Sequence, residues 1–212
     1  MSVNHSTVIS GFNEFLNSQK ILPGMCTMTM VQFNTERTRH AVRSPIGEVR
    51  PLDSFNYRPR GNTALYDAVV STIDEVGLGL AFLPEEDRPE KVLVVIHSDG
   101  EENASRTFTA DDVRKRIQTQ TDVYSWKFAF VGTDFDVITS GKAIGIKGHS
   151  NFSFENTTDG WHTAYAAINR SVCNFRSMTP TCYAQTQDFF DSSPIQGGEP
   201  DALSTKEALR QP

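Results

Sequence analysis

"KVLVVIHSDGEENAS", Lys91–Ser105, is the stretch on which the fold turns. From Val92 to His97 the residues are apolar or weakly polar, without the alternation of a half-buried strand. A strand covered on both faces has this composition, and such strands belong to parallel sheets. Ser98, Asp99 and Gly100 end the run, and Glu101 and Glu102 follow. An ordinary polar loop accounts for that change. So does a site at the carboxyl end of a parallel strand, where open α/β sheets place their ligands.

Working outward, Val8, Ile9, Phe12, Phe15, Leu16 and Ile21 recur at helical spacing and predict an amphipathic helix over residues 6–20, stopped by Pro23 and Gly24. "MCTMTMVQF" (Met25–Phe33) alternates as a strand does, and "RTRHAVRS" after the Asn34–Thr35 turn reads as its hairpin partner. Residues 44–62 are broken by Pro45, Pro51, Pro59 and Gly61. Thr63 then reads as the N-cap of a helix carrying Leu65, Val69, Val70, Ile73 and Val76.

On the other side, Thr109 with Asp111 and Asp112 opens a further helix, the acids favouring its positive end. "WKFAFVGTD" (Trp126–Asp134) is a second apolar strand, followed by a short helix over about residues 135–143 and an alternating strand, "SNFSFE". Thr157 or Thr158 caps a last helix with Trp161, Tyr165, Ile168 and Val172 on one side. Strands alternate with helices, so the expected core is α/β with a mainly parallel sheet. Phe128, Phe130, Phe152 and Phe154 are expected in it. From about Ser177 the chain turns to Pro, Gly, Ser and mixed charge without a period, and residues 177–212 read as a disordered tail, in which Phe189 and Phe190 suggest a short docking motif.

Composition narrows the function classes. The 212 residues are 38% hydrophobic and 22% charged, with a formal net charge of −6. An acidic balance argues against broad binding to nucleic acid or to an anionic membrane. No apolar run approaches the roughly 18 residues of a membrane span. "MSVNHSTVISGF" lacks the basic and apolar regions of a secretory signal. Cys26, Cys173 and Cys182, an odd number without CxxC spacing, fit a reducing, cytoplasmic setting better than a disulfide framework or a zinc site.

"YRPRGNTALYDAV" (Tyr57–Val69) together with "VLVVIHSDGEENAS" (Val92–Ser105) resembles the von Willebrand factor A domain. The order of "GFNEFLNSQK", a Met-rich strand, a strand ending "FVGTD" and a helix ending "NFR" is also similar. The resemblance covers about residues 1–176 and is to the compact, single-domain versions found in bacteria and phages. It implies a three-layer, doubly wound, mainly parallel sheet with helices on both faces. It also implies a protein-binding module rather than an enzyme. In that family a metal-ion-dependent adhesion site takes ligands from an Asp-x-Ser-x-Ser loop, a Thr and an Asp, and an acidic residue of a partner completes the shell of Mg²⁺ or Mn²⁺. Thr63 matches the Thr and Asp99 the Asp.

The Asp-x-Ser-x-Ser loop has no counterpart in the chain. On the family pattern the sequence begins one strand late, without the first, central strand. A misassigned start, a fragment and an evolved truncation give the same pattern. Thr63 and Asp99 alone are too few oxygens to hold Mg²⁺ tightly, so the expected site is partial or degenerate. A missing central strand would leave a gap between Met25–Phe33 and Val92–His97, and an unpaired edge there invites pairing with a second copy of the chain.

Two alternatives stand beside the binding module: a metal-independent scaffold or assembly protein, and a metal-dependent hydrolase using Asp99. Against the hydrolase, His97, Ser98 and Asp99 are adjacent on a strand, so alternate side chains point to opposite faces and cannot form a triad. The chain has no G-x-S-x-G, Walker A or G-x-G-x-x-G sequence. Glu101 and Glu102 read as solvated acids, and Asp134 as an ordinary loop acid.

Overall fold

The structure is a computed structural model and describes residues 5–59, 61–98, 101–133, 141–146, 148–185 and 189–190. Helix α1 (His5–Ile21) is followed by strands β1 (Thr27–Phe33) and β2 (Arg37–Pro45). Then come α2 (Leu65–Ala81), β3 (Leu93–Ser98), α3 (Ala110–Tyr124) and β4 (Lys127–Thr133). The last elements are β5 (Asn151–Phe154), α4 (Thr158–Ser177) and α5 (Pro180–Gln185). Of the short helix expected over 135–143, residues 141–143 are helical and 134–140 lie outside the described residues.

The fold is mixed α/β. β3, β4 and β5 form a parallel sheet in chain order, and β1 and β2 form a separate antiparallel hairpin. The expectation of one mainly parallel sheet is therefore met only by the three later strands. The parallel sheet is covered on both faces. Ile96, Phe128 and Phe130 face α2 and α3, packing with Leu65, Val69, Ile73, Val113 and Ile117. Ala129 and Val131 face α1 and α4, packing with Val8, Trp161, Ala164 and Ile168. Period-two alternation thus sends successive residues of one apolar strand into different cores. A third cluster joins Leu16 of α1 to Ala41 of β2 and to Ile46 and Val49 beyond it.

Two helix starts follow from local chemistry. Thr109 and Asp112 form a reciprocal capping box at α3, and the Thr157 hydroxyl accepts the Gly160 N–H at α4. The hairpin is tied to α2 by Arg37, whose guanidinium donates to Glu75 at 2.7 Å and to Thr72 at 3.2 Å.

Past residue 176, Pro180–Gln185 is helical. Tyr183 and Phe190 are buried. Phe190 packs on Phe152 and the partly buried Phe189 on Phe175. Aromatic rings outweigh the polar composition around them here, because each removes a large apolar surface from water. Lys91 ties this end down as well, donating to the carbonyls of Phe175, Arg176 and Met178 at α4's C-terminus. Among the described residues no helix is long and apolar enough to cross a membrane.

Candidate functional site

The segment before α2 and the loop after β3 meet at one rim of the molecule. Thr63 N–H donates to Asn103 Oδ1 at 2.8 Å, and Thr63 O accepts from the N–H groups of Asn103 and Ala104 at 3.0 and 3.2 Å. Ala64 N–H donates to Asn34 O at 2.8 Å, beyond the end of β1. Thr63 therefore sits between the end of β1 and the loop that leaves β3. Asp99, its expected companion, lies outside the described residues, as do Gly100 and Asp134. The described chain resumes at Glu101 and meets Thr63 at Asn103.

Thr63 does not cap α2. The helix begins at Leu65 with Ala64 in the cap position and no side-chain cap of its own. Its first-turn amides are met instead from the β3–α3 loop. Glu102 Oε2 accepts Tyr66 N–H at 3.0 Å, and Ser105 Oγ accepts Asp67 N–H at 3.1 Å. These amides are among the four that a helix start leaves without intrahelical partners, and a carboxylate there also meets the positive end of the helix dipole.

Glu102 is not a solvated acid. Besides Tyr66 it accepts Ala104 N–H at 2.9 Å, Ser105 N–H at 2.7 Å and the Ser105 hydroxyl at 2.7 Å. Burial works to raise its pKa, but the Ser105 amide and hydroxyl, with the amides of Tyr66 and Ala104, outweigh it and hold the carboxyl below its usual range. Asp67 mirrors this from the helix side. It accepts the amides of Arg106, Thr107 and Phe108. Burial opposes them, and the net effect is again a lowered pKa. Two carboxylates, one from each side, thus lock the loop to the helix. Neither stands out in the sequence, because Tyr66 and Glu102 are 36 residues apart and no local spacing links them. The one local hint is the run of short polar residues in "ENAS", which suits side-chain capping.

The rim's donor set can be compared with what a hard cation needs. Mg²⁺ takes six oxygens in near-octahedral geometry. Thr63 offers one hydroxyl, and Glu102 and Asp67 already accept several N–H groups apiece. Among the described residues no group of three acidic, His or Cys side chains is arranged to hold a metal ion. The described residues at the rim therefore do not by themselves fit Mg²⁺ or Mn²⁺.

His97 lies one residue before the rim, in an aromatic box. Its ring centroid is 4.8 Å from Trp161, 5.6 Å from Tyr165 and 5.9 Å from Phe154. Its Nε2 is shielded from solvent without a hydrogen-bond partner, and burial pushes its pKa down to about 4. His97 is thus a neutral packing group on the α4 side of the sheet.

Compared with known proteins, the chain matches no protein-family model and no curated protein.

Proposed function

We propose that this chain is a protein-binding module of the von Willebrand factor A type, with a three-layer, doubly wound architecture, whose contact surface is the rim carrying Thr63 and Asp99. The observation that supports this most is the convergence at Thr63 of three segments far apart in sequence, Asn34, Thr63–Ala64 and Asn103–Ala104. Glu102 and Asp67 hold that convergence rigid, and a preorganised loop cluster loses little entropy when a partner docks. On this reading Thr63 and Asp99 are the remnant of a metal-ion-dependent adhesion site, and an acidic partner residue is the group they suit.

A second reading, a metal-independent scaffold with the same fold, is favoured by the fate of Glu102 and Asp67. Their oxygens are committed to backbone amides.

Calorimetry with Mn²⁺ and with Mg²⁺, each with and without a glutamate-bearing peptide, separates the two. The adhesion-type module predicts weak cation binding that the peptide strengthens and that Thr63→Ala and Asp99→Ala each abolish. Heat signals identical in wild type and both variants would leave the scaffold reading standing.

A further inference from the structure

Helices α2 and α3 lie side by side on one face of the parallel sheet, and two contacts set their register. Arg116 donates to Asp74 across the pair at 2.8 Å. Gly77 faces Gln120, whose side-chain nitrogen is 3.3 Å from where a Cβ on Gly77 would stand. One turn on from Asp74 is Leu78, and one turn on from Gln120 is Val123. Phe82 follows Leu78 by a further turn and keeps helical backbone as the C-cap of α2. Leu78, Phe82 and Val123 therefore border one groove where the two helices end, with Tyr124 beside it at the last residue of α3. This end is opposite the rim. α3 passes through Ser125 and Trp126 into the start of β4, whereas the rim lies past the carboxyl end of β3, which runs parallel to β4.

The side chains at the groove face solvent. Leu78 is 61% exposed, Phe82 80%, Val123 66% and Tyr124 61%. Single exposed apolar residues are ordinary on a protein surface, but neighbours gathered at one place mark a contact site. The charge around them is one-sided. Neither helix has a basic residue in its last turn. Asp122 stands in the last turn of α3, where the negative end of the helix dipole opposes an acid. Glu85, Glu86 and Asp87 form an exposed turn just beyond Phe82. Among the described residues none of these acids is in an ion pair. The neighbouring arginines are turned to the backbone instead. Arg88 donates to the carbonyls of Ala81 and Leu83, and Arg43 to that of Gly79.

We infer that this groove receives an amphipathic helix of a partner protein, apolar along its inner stripe and basic along its flanks. An apolar groove between two helices takes a third helix through anchors spaced i, i+3, i+4 and i+7. From Asp74 to Phe82 the groove runs about 12 Å, the length of about two turns of such a helix. Lysines or arginines beside the stripe meet the acids and the negative helix ends that flank the groove. A second copy does not suit the place, because a two-fold contact sets this acidic end against itself. The inference goes beyond the rim contact and stands without it.

A fluorescence titration of the full chain tests it. The probe is a labelled helical peptide with leucines at i, i+3, i+4 and i+7 and lysines at the other positions. One control peptide scatters the leucines, and a second carries glutamate in place of every lysine. Wild type should bind the probe about tenfold or more tightly than either control. Combining Leu78→Ser, Phe82→Ser and Val123→Ser should weaken the probe by about tenfold or more. Phe55→Ser should bind it as wild type does; it removes an exposed ring beside Tyr57, which packs on the α1 and α4 side of the sheet. Because the substituted side chains are exposed, the triple variant should melt as wild type does, which separates loss of the groove from loss of the fold. No binding of the probe would overturn the inference. So would equal binding of either control, or a triple variant that binds as wild type does. Self-association of the wild-type chain that the triple variant abolishes would overturn it in favour of a second copy.

Discussion

At the scale of single residues, the rim rests on Glu102. Removing its carboxylate strands the first-turn amides of α2 and frees the 101–105 loop. Hydrogen bonds to a charged group contribute about 1.5–3 kcal/mol each, and water replaces part of that at a half-exposed site. Glu102→Ala is expected to lower unfolding stability by about 2 kcal/mol in urea and to speed exchange at Tyr66 N–H. His97 carries a different prediction. Its pKa falls from 6.5 to about 4 on folding. As pH drops below 6.5 the unfolded chain takes up a proton that the folded chain refuses, so stability falls until pH nears 4. At about 1.4 kcal/mol per pH unit, the full loss is about 3 kcal/mol. His97→Phe keeps the aromatic box and should flatten that part of the stability–pH curve. Glu102 and Asp67 act lower down: their depressed pKa values give stability present above the normal carboxyl range and lost as pH falls through the folded values.

At the scale of elements, α1 and α4 approach closely through Gly11. A Cβ there would lie 2.3 Å from the Tyr165 ring. In an open helix Gly→Ala gains up to about 1 kcal/mol, but overpacking against a partly buried ring costs about 1–3 kcal/mol. The clash should win, so Gly11→Ala is expected to lower the melting temperature. The element scale is also where sequence and structure agree best, and the reason is range. Thr109 and Thr157 cap helices with groups three residues away, so their roles are visible in a short window. The unbroken apolar runs of β3 and β4 announce two-sided cover. Thr63 looks the same as these caps in sequence, but the α2 cap comes from Glu102 and Ser105 across the rim. Likewise the hairpin of β1 and β2 is legible from its turn, whereas its separation from the parallel sheet depends on pairing between distant segments. Of the expected pair, Thr63 and Asp99, the second lies outside the described residues; Glu102 was not legible, because an acid in a loop resembles any solvated acid until its partners are known.

At the scale of the whole molecule, three apolar clusters are joined through helices rather than through one continuous sheet. Phe190 closes the second of them against Phe152. Phe190→Ala should lower stability by about 3 kcal/mol, the range for emptying a buried aromatic site, read as a fall in the urea midpoint. An independent tail would show no change. The placement of Tyr183 and Phe190 also bears on how the protein is made. Both are synthesised after the strands and helices they pack against, and until they leave the ribosome the helix ends and ring surfaces they cover stay bare. A nascent polypeptide must therefore wait for Phe190 to emerge before the second cluster closes, and during that wait it is a natural client for chaperones.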